Sequence, residues 1–266
     1  RFPFYKHLKS KHEQVTPFYH SNLIWWIISI FFTILEVFYF RPTHIHIQGK
    51  YFLPAGLIVG KLLSIPTLLT LRDYIILCPL AYCIRQNRKY IRCRLSELVS
   101  KDVKDYRSVN SQTLGSLAHL VQIVVSIRGW FVSRLLYQCS KWINVRIAIS
   151  HKVAHIYNAN GISVNEIIYN TTPFVKELAQ KGKYFLFAGR LTFGKGADLA
   201  VEAYKSLTVP DSPPLLVLGE GPLRKKLMLE NTSNIHFGGF VTTEKIQQAY
   251  RWAHLVIMPS RWEEPF

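Results

Sequence analysis

The sequence contains few cysteines, and their spacing defines no framework. Its 266 residues include 4 Cys, at positions 78, 83, 93 and 139, and no two of them form a CxxC pair. This excludes a small disulfide-stabilised scaffold and makes a reducing cytosol the simpler compartment. We expect unpaired thiols and no metal or other cofactor. A metal held by Cys78, Cys83 and Cys93 with a histidine is the less favoured alternative.

Glycine and proline are also scarce, with 14 and 13 residues, and no repeat or low-complexity tract is present. Collagen-like and disordered chains are excluded, because 49% of the residues are hydrophobic and a large core can form. The length fits two domains more comfortably than one. The chain begins at Arg1 and stops at Phe266 inside a motif, so we expect it to be a fragment.

Acidic residues are scarce relative to basic ones. The chain has 33 Lys and Arg against 16 Asp and Glu, a net charge of +17, which predicts an anionic partner. Residues 1–182 carry 23 basic and 8 acidic side chains (+15), whereas residues 183–266 carry 10 and 8 (+2). We therefore expect the two parts to face different partners. Nucleic acid is the less favoured anion, because the sequence has no recognised nucleic-acid reading motif.

Hydrophobic periodicity predicts short strands that alternate with amphipathic stretches. The predicted strands are residues 44–48, 66–71, 145–149, 166–169, 184–188, 215–218, 234–237 and 255–258. Alternation of strands and helices implies parallel sheets covered on both faces. We predict an α/β fold of two doubly wound Rossmann-like domains, over residues 1–175 and 176–266, because polar residues near 170–183 interrupt the apolar pattern.

The stretch 23–40 is the one candidate for a membrane-spanning helix. Only three polar residues break it: Ser29, Thr33 and Glu36. They share one narrow helical stripe, so we expect a core helix that is covered nearly all round. One alternative is a helix lying on a membrane surface through Trp25 and Trp26. A true span is the least favoured alternative, because Glu36 lies within it.

The glycine-bearing loop at 189–196 carries the strongest chemical signal. It joins the predicted strand 184–188 to an amphipathic helix and contains Arg190 and Lys195. Such a loop presents backbone N–H groups and a helix N-terminus to an anion. Its two cations, a bidentate fork and a point charge, suit a diphosphate without a metal. The alternative is an ordinary loop with two surface cations.

Three further loops follow the next predicted strands. They are Val217-Leu-Gly-Glu-Gly-Pro-Leu223, Phe237-Gly-Gly-Phe-Val241 and Met258-Pro-Ser-Arg-Trp-Glu-Glu-Pro-Phe266. The first is not a dinucleotide fingerprint, because Arg224 stands where the third glycine belongs. Loops at the carboxyl ends of strands in an open α/β sheet form one ligand crevice, so we expect these loops to meet.

The order of these motifs resembles the family 4 (group 1) retaining glycosyltransferases of GT-B fold. Upstream, Arg41-Pro-Thr-His-Ile-His-Ile-Gln48, Pro66-Thr-Leu-Leu-Thr-Leu-Arg-Asp-Tyr74 and Ala148-Ile-Ser150 look like the family's acceptor domain. The resemblance covers about residues 41–266. It implies two Rossmann-like domains, both incomplete in this chain, and transfer of a sugar from a nucleotide diphosphate sugar to an acceptor.

The resemblance also implies roles for residues of the C-terminal loops. Arg190, Lys195 and Glu264 are expected to be catalytic, the cations on the departing diphosphate and the carboxylate on sugar hydroxyls. Donor binding is expected at eight further positions: Gly189, Gly219, Gly221, Gly238, Gly239, Phe240, Val241 and Glu263. The family's second glutamate would lie eight positions after Glu264, beyond the last residue. A solvated acidic pair is the alternative for Glu263 and Glu264.

On the acceptor side, the expected residues are His46, Arg72 and Asp73. Many members of the family carry a histidine where Arg72 stands, so no imidazole role is carried over to that position. The segment 85–107 has eight basic residues against three acidic ones. It suits a phosphate-bearing lipid acceptor or the anionic inner leaflet, and a solvated basic face is the alternative.

These expectations combine into one hypothesis about function. The protein would be a cytoplasmic enzyme, peripheral on the inner face of the membrane, that uses a sugar nucleotide. Its acceptor would be a membrane-associated glycan or lipid-linked molecule, in surface polysaccharide or glycolipid synthesis. The alternative is a non-catalytic anion-binding module that docks on lipid or nucleic acid.

Overall fold

The computed structural model describes residues 23–79, 94–98, 116–171, 182–207, 211–229, 234–262 and 264–265. The strands in these ranges are β1 (Ile45–Ile47), β2 (Thr67–Leu71), β3 (Val145–Ala148), β4 (Glu166–Ile167), β5 (Tyr184–Ala188), β6 (Leu215–Leu218), β7 (Ile235–Gly239) and β8 (Ala253–Val256). The principal helices are α1 (Leu23–Phe40), α2 (Leu53–Leu62), α3 (Ser116–Lys141), α4 (His151–Ala159), α5 (Ala197–Lys205), α6 (Arg224–Leu229) and α7 (Thr243–Arg251). Short helical turns lie at Lys50–Phe52 and Leu95–Glu97.

The strands form two four-stranded sheets, and every pairing is parallel. The strand order is β1-β2-β3-β4 in the first sheet and β7-β6-β5-β8 in the second. Each predicted strand is present, with ends that agree or differ by one or two residues. The α/β class with parallel sheets is therefore confirmed. The predicted domain boundary at 175/176 lies outside the described residues.

The second sheet is covered on both faces. Phe187 of β5 packs with Ala200 and Val201 of α5 in one buried cluster. Its neighbour Leu186 points to the other face, where it packs with Ala249 of α7 in a separate cluster. Burying each large side chain contributes about 1.5 to 3 kcal/mol, so adjacent apolar residues in one strand hold helices on opposite faces. The continuous apolar run of β5 follows from this arrangement.

Helix α1 departs from the sequence expectation. It has the predicted limits, but the expectation that it is covered nearly all round is wrong in the described structure. Trp26, Ser29 and Val37 are buried, so one residue of the polar stripe, Ser29, lies inside the protein. Its large exposed apolar residues are Ile27, Ile28, Phe31, Phe32, Leu35, Phe38, Tyr39 and Phe40. The main described neighbour of α1 is α2, which covers only one side.

Within the described ranges, no helix combines the length and apolar character needed to cross a membrane. The hydroxyl of Thr33 donates to the carbonyl of Ser29 at 2.7 Å, which satisfies that polar side chain within the helix. The Thr33 side chain therefore tolerates an apolar environment better than its chemistry alone indicates.

Candidate functional site

The loops that follow β5, β6 and β7 meet at the carboxyl edge of the second sheet, as the sequence predicts. The Gly189 N–H donates to the Leu218 carbonyl at 3.0 Å, and the Gly219 N–H donates to the Gly239 carbonyl at 2.7 Å. Backbone bonds of this kind restrict the loops to one arrangement. The three loops therefore form a common floor.

Glycine is required in this floor because the loop backbones approach one another closely. Gly219 has a φ of +130°, and a Cβ atom there would lie 1.9 Å from the Gly189 carbonyl oxygen. No other residue fits that space without moving the backbone. The N–H groups of Gly189 and Gly219 are bonded to the ends of β6 and β7, so these two donors are not available to a bound anion.

The buried side chain of Trp262 provides an aromatic surface in the site. A Cβ atom on Gly194 would lie 1.8 Å from its indole ring, so the loop after β5 passes directly against it. The Lys195 Nζ lies 5.5 Å from the ring centroid and the Arg190 Cζ lies 5.8 Å from it. Both distances are in the range of cation–π attraction. The two predicted cations therefore lie against one indole ring.

Glu264 is held by three hydrogen bonds to one oxygen. Its Oε1 accepts from Ser260 Oγ at 2.6 Å, from Lys195 Nζ at 2.7 Å and from Trp262 Nε1 at 2.7 Å. Within the described part of the chain, Oε2 makes no hydrogen bond. The carboxylate is thus fixed through one oxygen and has the other available to a ligand.

Burial raises the pKa of Glu264, but the donated hydrogen bonds outweigh that effect. The bonds from Lys195, Ser260 and Trp262, together with the charge of Lys195, hold the pKa of the carboxyl below its ordinary value of 4.5. Glu264 is therefore ionised at neutral pH, and Lys195 faces a full negative charge.

Arg261 joins the segment after β8 to helix α5. Its guanidinium donates to both carboxylate oxygens of Asp198, at 2.6 Å and 2.9 Å, and to the Phe193 carbonyl at 2.8 Å. Bidentate pairs of this kind fix orientation as well as distance. The segment that carries Glu264 is therefore anchored to the same loop that carries Lys195.

On the first sheet, Asp73 follows the carboxyl end of β2. Its Oδ2 accepts from Lys50 Nζ at 3.3 Å, and its Oδ1 accepts from the backbone N–H of Ile75 at 3.0 Å. The hydroxyl of the buried Tyr157 donates to the Asp73 carbonyl at 2.6 Å. Burial, followed by the charge of Asp73 and the neighbouring Tyr74, raises the pKa of Tyr157 well above 10.0. Tyr157 therefore acts as a neutral donor.

The other acceptor-side residues lie at the surface. His46 of β1 is exposed, and its Nε2 lies 2.8 Å from Thr70 Oγ1 on the neighbouring strand. Arg72 is exposed at the end of β2.

The basic segment 85–107 lies outside the described residues except for 94–98. Cys83 and Cys93 also lie outside them, whereas Cys78 is buried and Cys139 is half-buried, and neither forms a disulfide within the described residues.

Among the remaining predicted donor positions, Phe240 is 83% exposed and Val241 is half-buried beside the α7 side of the sheet. A Cβ atom on Gly238 would meet the Leu218 side chain at 2.5 Å. Gly221 has a φ of +158° and packs against the Leu191 backbone. Glu263 lies outside the described residues.

Sequence reasoning missed four residues that organise these sites: Lys50, Ser260, Arg261 and Trp262. The last three belong to the motif that contains Glu264, and their polar or aromatic character was the available signal. Lys50 follows β1 by three residues, and its place near the carboxyl edge of the first sheet was the signal there.

Comparison with known proteins gives a family match over the C-terminal part of the chain. Residues 169–266 match the family model described as glycosyl transferases group 1. Over 89 residues, the chain is 32% identical to an uncharacterized glycosyltransferase, MJ1607, of Methanocaldococcus jannaschii. That match covers 32% of this chain and 23% of the relative.

Two solved structures illustrate the similarity of fold. Sucrose-phosphate synthase from Thermosynechococcus elongatus has a TM-score of 0.56 at 14% identity, over 89% of this chain and 55% of that one. HepE from Anabaena, in complex with UDP-glucose, has a TM-score of 0.52 at 13% identity, over 89% and 58%. The chain spans a little over half the length of these structures. Residues 169–266 thus match the group 1 glycosyl transferases, and the chain has the GT-B fold of its structural neighbours.

Proposed function

We propose that the protein is a retaining, family 4 glycosyltransferase that moves a hexose from a nucleotide diphosphate sugar to a membrane-associated glycan or lipid-linked acceptor. The observation that carries the proposal is the Lys195–Glu264 pair on Trp262, with Arg190 against the same ring. The match of residues 169–266 to group 1 glycosyl transferases supports it. A structural neighbour in complex with UDP-glucose supports the donor class.

The two cations act on the leaving group. When the bond between the anomeric carbon and the diphosphate oxygen breaks, the electron pair stays with the diphosphate and its negative charge grows. Arg190 and Lys195 stabilise that charge more strongly in the transition state than in the bound donor. These side chains, and not a metal ion, neutralise the charge of the diphosphate. Because Glu264 holds Lys195 in place, little reorganisation is needed at the moment of reaction.

Glu264 and the loop after β7 bind the rest of the donor. The Oε2 atom of Glu264 accepts hydrogen bonds from hydroxyls of the donor sugar, which distinguishes sugars by their hydroxyl geometry. Gly238 and Gly239 permit close approach of a flat base, and the exposed ring of Phe240 offers an apolar surface beside it. Asp73, with Lys50 beside it, faces the acceptor.

The test is release of nucleoside diphosphate from a panel of UDP-, GDP- and ADP-sugars by the protein, with and without a lipid-linked glycan acceptor. We expect hydrolysis of at least one donor. NMR of the product should show that the anomeric configuration of the donor sugar is retained. A product of inverted configuration contradicts the retaining mechanism. Nucleoside diphosphate binding without turnover of any donor supports the non-catalytic anion-binding module instead.

We also propose that the N-terminal part docks on an anionic membrane surface. Helix α1 exposes a broad apolar face that includes Phe31 and Phe38, and residues 1–182 carry 15 more basic than acidic side chains. An exposed apolar helix face in a part of the chain with a net positive charge suits the boundary of anionic lipid. Exposed charges are screened over about 8 Å at physiological ionic strength, so binding should weaken as salt rises.

Co-sedimentation with vesicles of neutral lipid, with and without anionic lipid, tests this docking. We expect binding to anionic vesicles that falls with salt and is lost in a Phe31→Ser, Phe38→Ser double variant. Tyr250→Ser, which removes an exposed ring from α7 on the second sheet's outer face, is the matched control and should bind as the wild type does. Equal binding to neutral and anionic vesicles at every salt concentration contradicts the electrostatic part.

A further inference from the structure

Ser150 connects the two sheets near their carboxyl edges, where the candidate site residues lie. It follows β3 of the first sheet, and its side chain is only 8% exposed. Its Oγ donates to the Pro265 carbonyl at 2.7 Å, a contact between residues 115 positions apart. Pro265 comes immediately after Glu264. The hydrogen bond therefore reaches from the first sheet to the residue next to the fixed carboxylate.

The same hydroxyl has a second, local partner. Ser150 is the N-cap of α4, and its Oγ accepts from the Val153 N–H at 3.2 Å. A hydroxyl can donate one hydrogen bond while it accepts another, so both contacts exist together. The cap fixes the hydroxyl on the helix, and its proton is then directed to Pro265. Aspartate at this position would accept from Val153 but would have no proton to donate.

The Pro265 carbonyl belongs to an anchored segment. Glu264 is bonded to Lys195, and Arg261 is bonded to Asp198 at the start of α5. A hydrogen bond to Pro265 therefore acts on the whole loop assembly of the second sheet and not on a free chain end. Separating the two sheets at this edge requires that the Ser150 bond be broken.

We propose that Ser150 is a positioning residue that latches the first sheet to the donor loops and so holds Glu264 in its working orientation. The catalytic part of this inference rests on the proposed function. The latch itself is a property of the fold, because its contacts involve no ligand. Ser150 acts through the backbone beside Glu264 and does not touch the reacting atoms.

Three substitutions separate latching from capping. Ser150→Thr keeps both hydrogen bonds, Ser150→Ala removes both, and Ser150→Asp keeps only the cap. If Ser150 is a latch, kcat for sugar transfer falls about fivefold to tenfold in the Ala and Asp variants, as expected for one neutral hydrogen bond, and recovers with Thr. If Ser150 only caps α4, Asp restores both kcat and thermal stability to the wild-type level, and that result overturns the latch.

Hydrogen exchange of the backbone amides at 260–264 in the protein without substrate gives a readout independent of activity. We expect faster exchange in Ser150→Asp than in the wild type and unchanged exchange in Ser150→Thr. Thr242→Asp makes the corresponding change at the N-cap of α7, where the Thr242 side chain accepts from the Lys245 N–H, and should leave exchange at 260–264 unchanged. Unchanged exchange in Ser150→Asp contradicts the latch even if transfer is never observed. Faster exchange without any transfer leaves the latch standing and removes the proposed function.

Discussion

The two sheets organise their carboxyl edges differently. At the second sheet, Lys195, Glu264, Trp262 and the neighbouring loops share short hydrogen bonds and ring contacts in a half-buried cluster. At the first sheet, Asp73 has one longer ion pair with Lys50, and its carboxylate is 45% exposed. The side chains at the edge of the second sheet are held by one another without a ligand, whereas Asp73 at the edge of the first sheet is open to solvent.

This difference follows the chemistry proposed for each side. Negative charge develops on the diphosphate of the donor, and stabilising it requires cations that are positioned in advance. A hydroxyl acceptor brings no comparable charge. A single exposed carboxylate is sufficient to orient it, and exposed ion pairs contribute little to stability. The comparison therefore predicts large effects at the second sheet and smaller ones at the first.

The largest effect is expected when a cation on Trp262 is removed. Arg190→Ala or Lys195→Ala should lower kcat for sugar transfer by about 10² to 10³, as for loss of one preorganised charge-stabilising group. Single-turnover transfer at saturating donor measures this, because it separates chemistry from donor affinity. Lys205→Ala, at the far end of α5, is the matched control. Wild-type rates in both variants would contradict the catalytic role and favour the alternative, an ordinary loop with two surface cations.

A smaller effect is expected from an added methyl group behind the indole. Gly194→Ala places a Cβ atom 1.8 Å from Trp262 and should destabilise the protein by about 1 to 3 kcal/mol through overpacking. Gly49→Ala, beside Lys50 at the first sheet, has its nearest neighbour at 3.9 Å and should have little effect. Urea unfolding compares the two variants. Equal stability would show that the second site is not the more tightly packed one.

At the first sheet, Asp73→Asn should lower kcat/KM for the acceptor by about tenfold and leave the donor dissociation constant unchanged, because only one exposed hydrogen-bonding charge is lost. Lys50→Met should have a smaller effect of the same kind. Acceptor titrations and donor calorimetry together check this. A loss of donor affinity in Asp73→Asn would contradict the separation of the two edges.

The smallest effect concerns acid. Because the folded pKa of Glu264 is below 4.5, its ionised form stabilises the folded state fully above pH 4.5. This contribution is lost as the pH falls from 4.5 through the folded pKa. The stability difference between wild type and Glu264→Gln should therefore be constant near neutral pH and shrink below pH 4.5. Urea unfolding at several pH values measures it. A difference that persists unchanged at low pH contradicts the ion pair.

The strands and the loop edges could be predicted from the sequence because local patterns determine them. Tyr184–Ala188 is apolar throughout, and that run predicts a strand covered on both faces with its observed limits. The contacts of Arg261 with Asp198 and of Ser150 with Pro265 join residues 63 and 115 positions apart, and no local pattern encodes such pairs. Tertiary contacts also determine which loop N–H groups can bind a ligand, because the N–H groups of Gly189 and Gly219 donate to residues of neighbouring strands.

Helix α1 shows the converse. Its limits could be predicted from an apolar run, but its environment could not, because an apolar helix fits a core, a membrane surface or a partner equally well. Exposure of Phe31 and Phe38 depends on which elements pack beside α1, and the described neighbour α2 covers only one side. Periodicity therefore located the helix and gave the wrong surroundings.

We propose that the loops of the second sheet form one anion site built on Lys195, Glu264 and Trp262. Calorimetric titration of UDP, GDP and ADP into the protein tests it most directly, without requiring turnover. We expect at least one nucleoside diphosphate to bind with an affinity that falls with salt, weakens at least about tenfold in Lys195→Ala and is unchanged in Lys205→Ala. Absence of binding by all three, or equal affinity in the two lysine variants, would contradict the account.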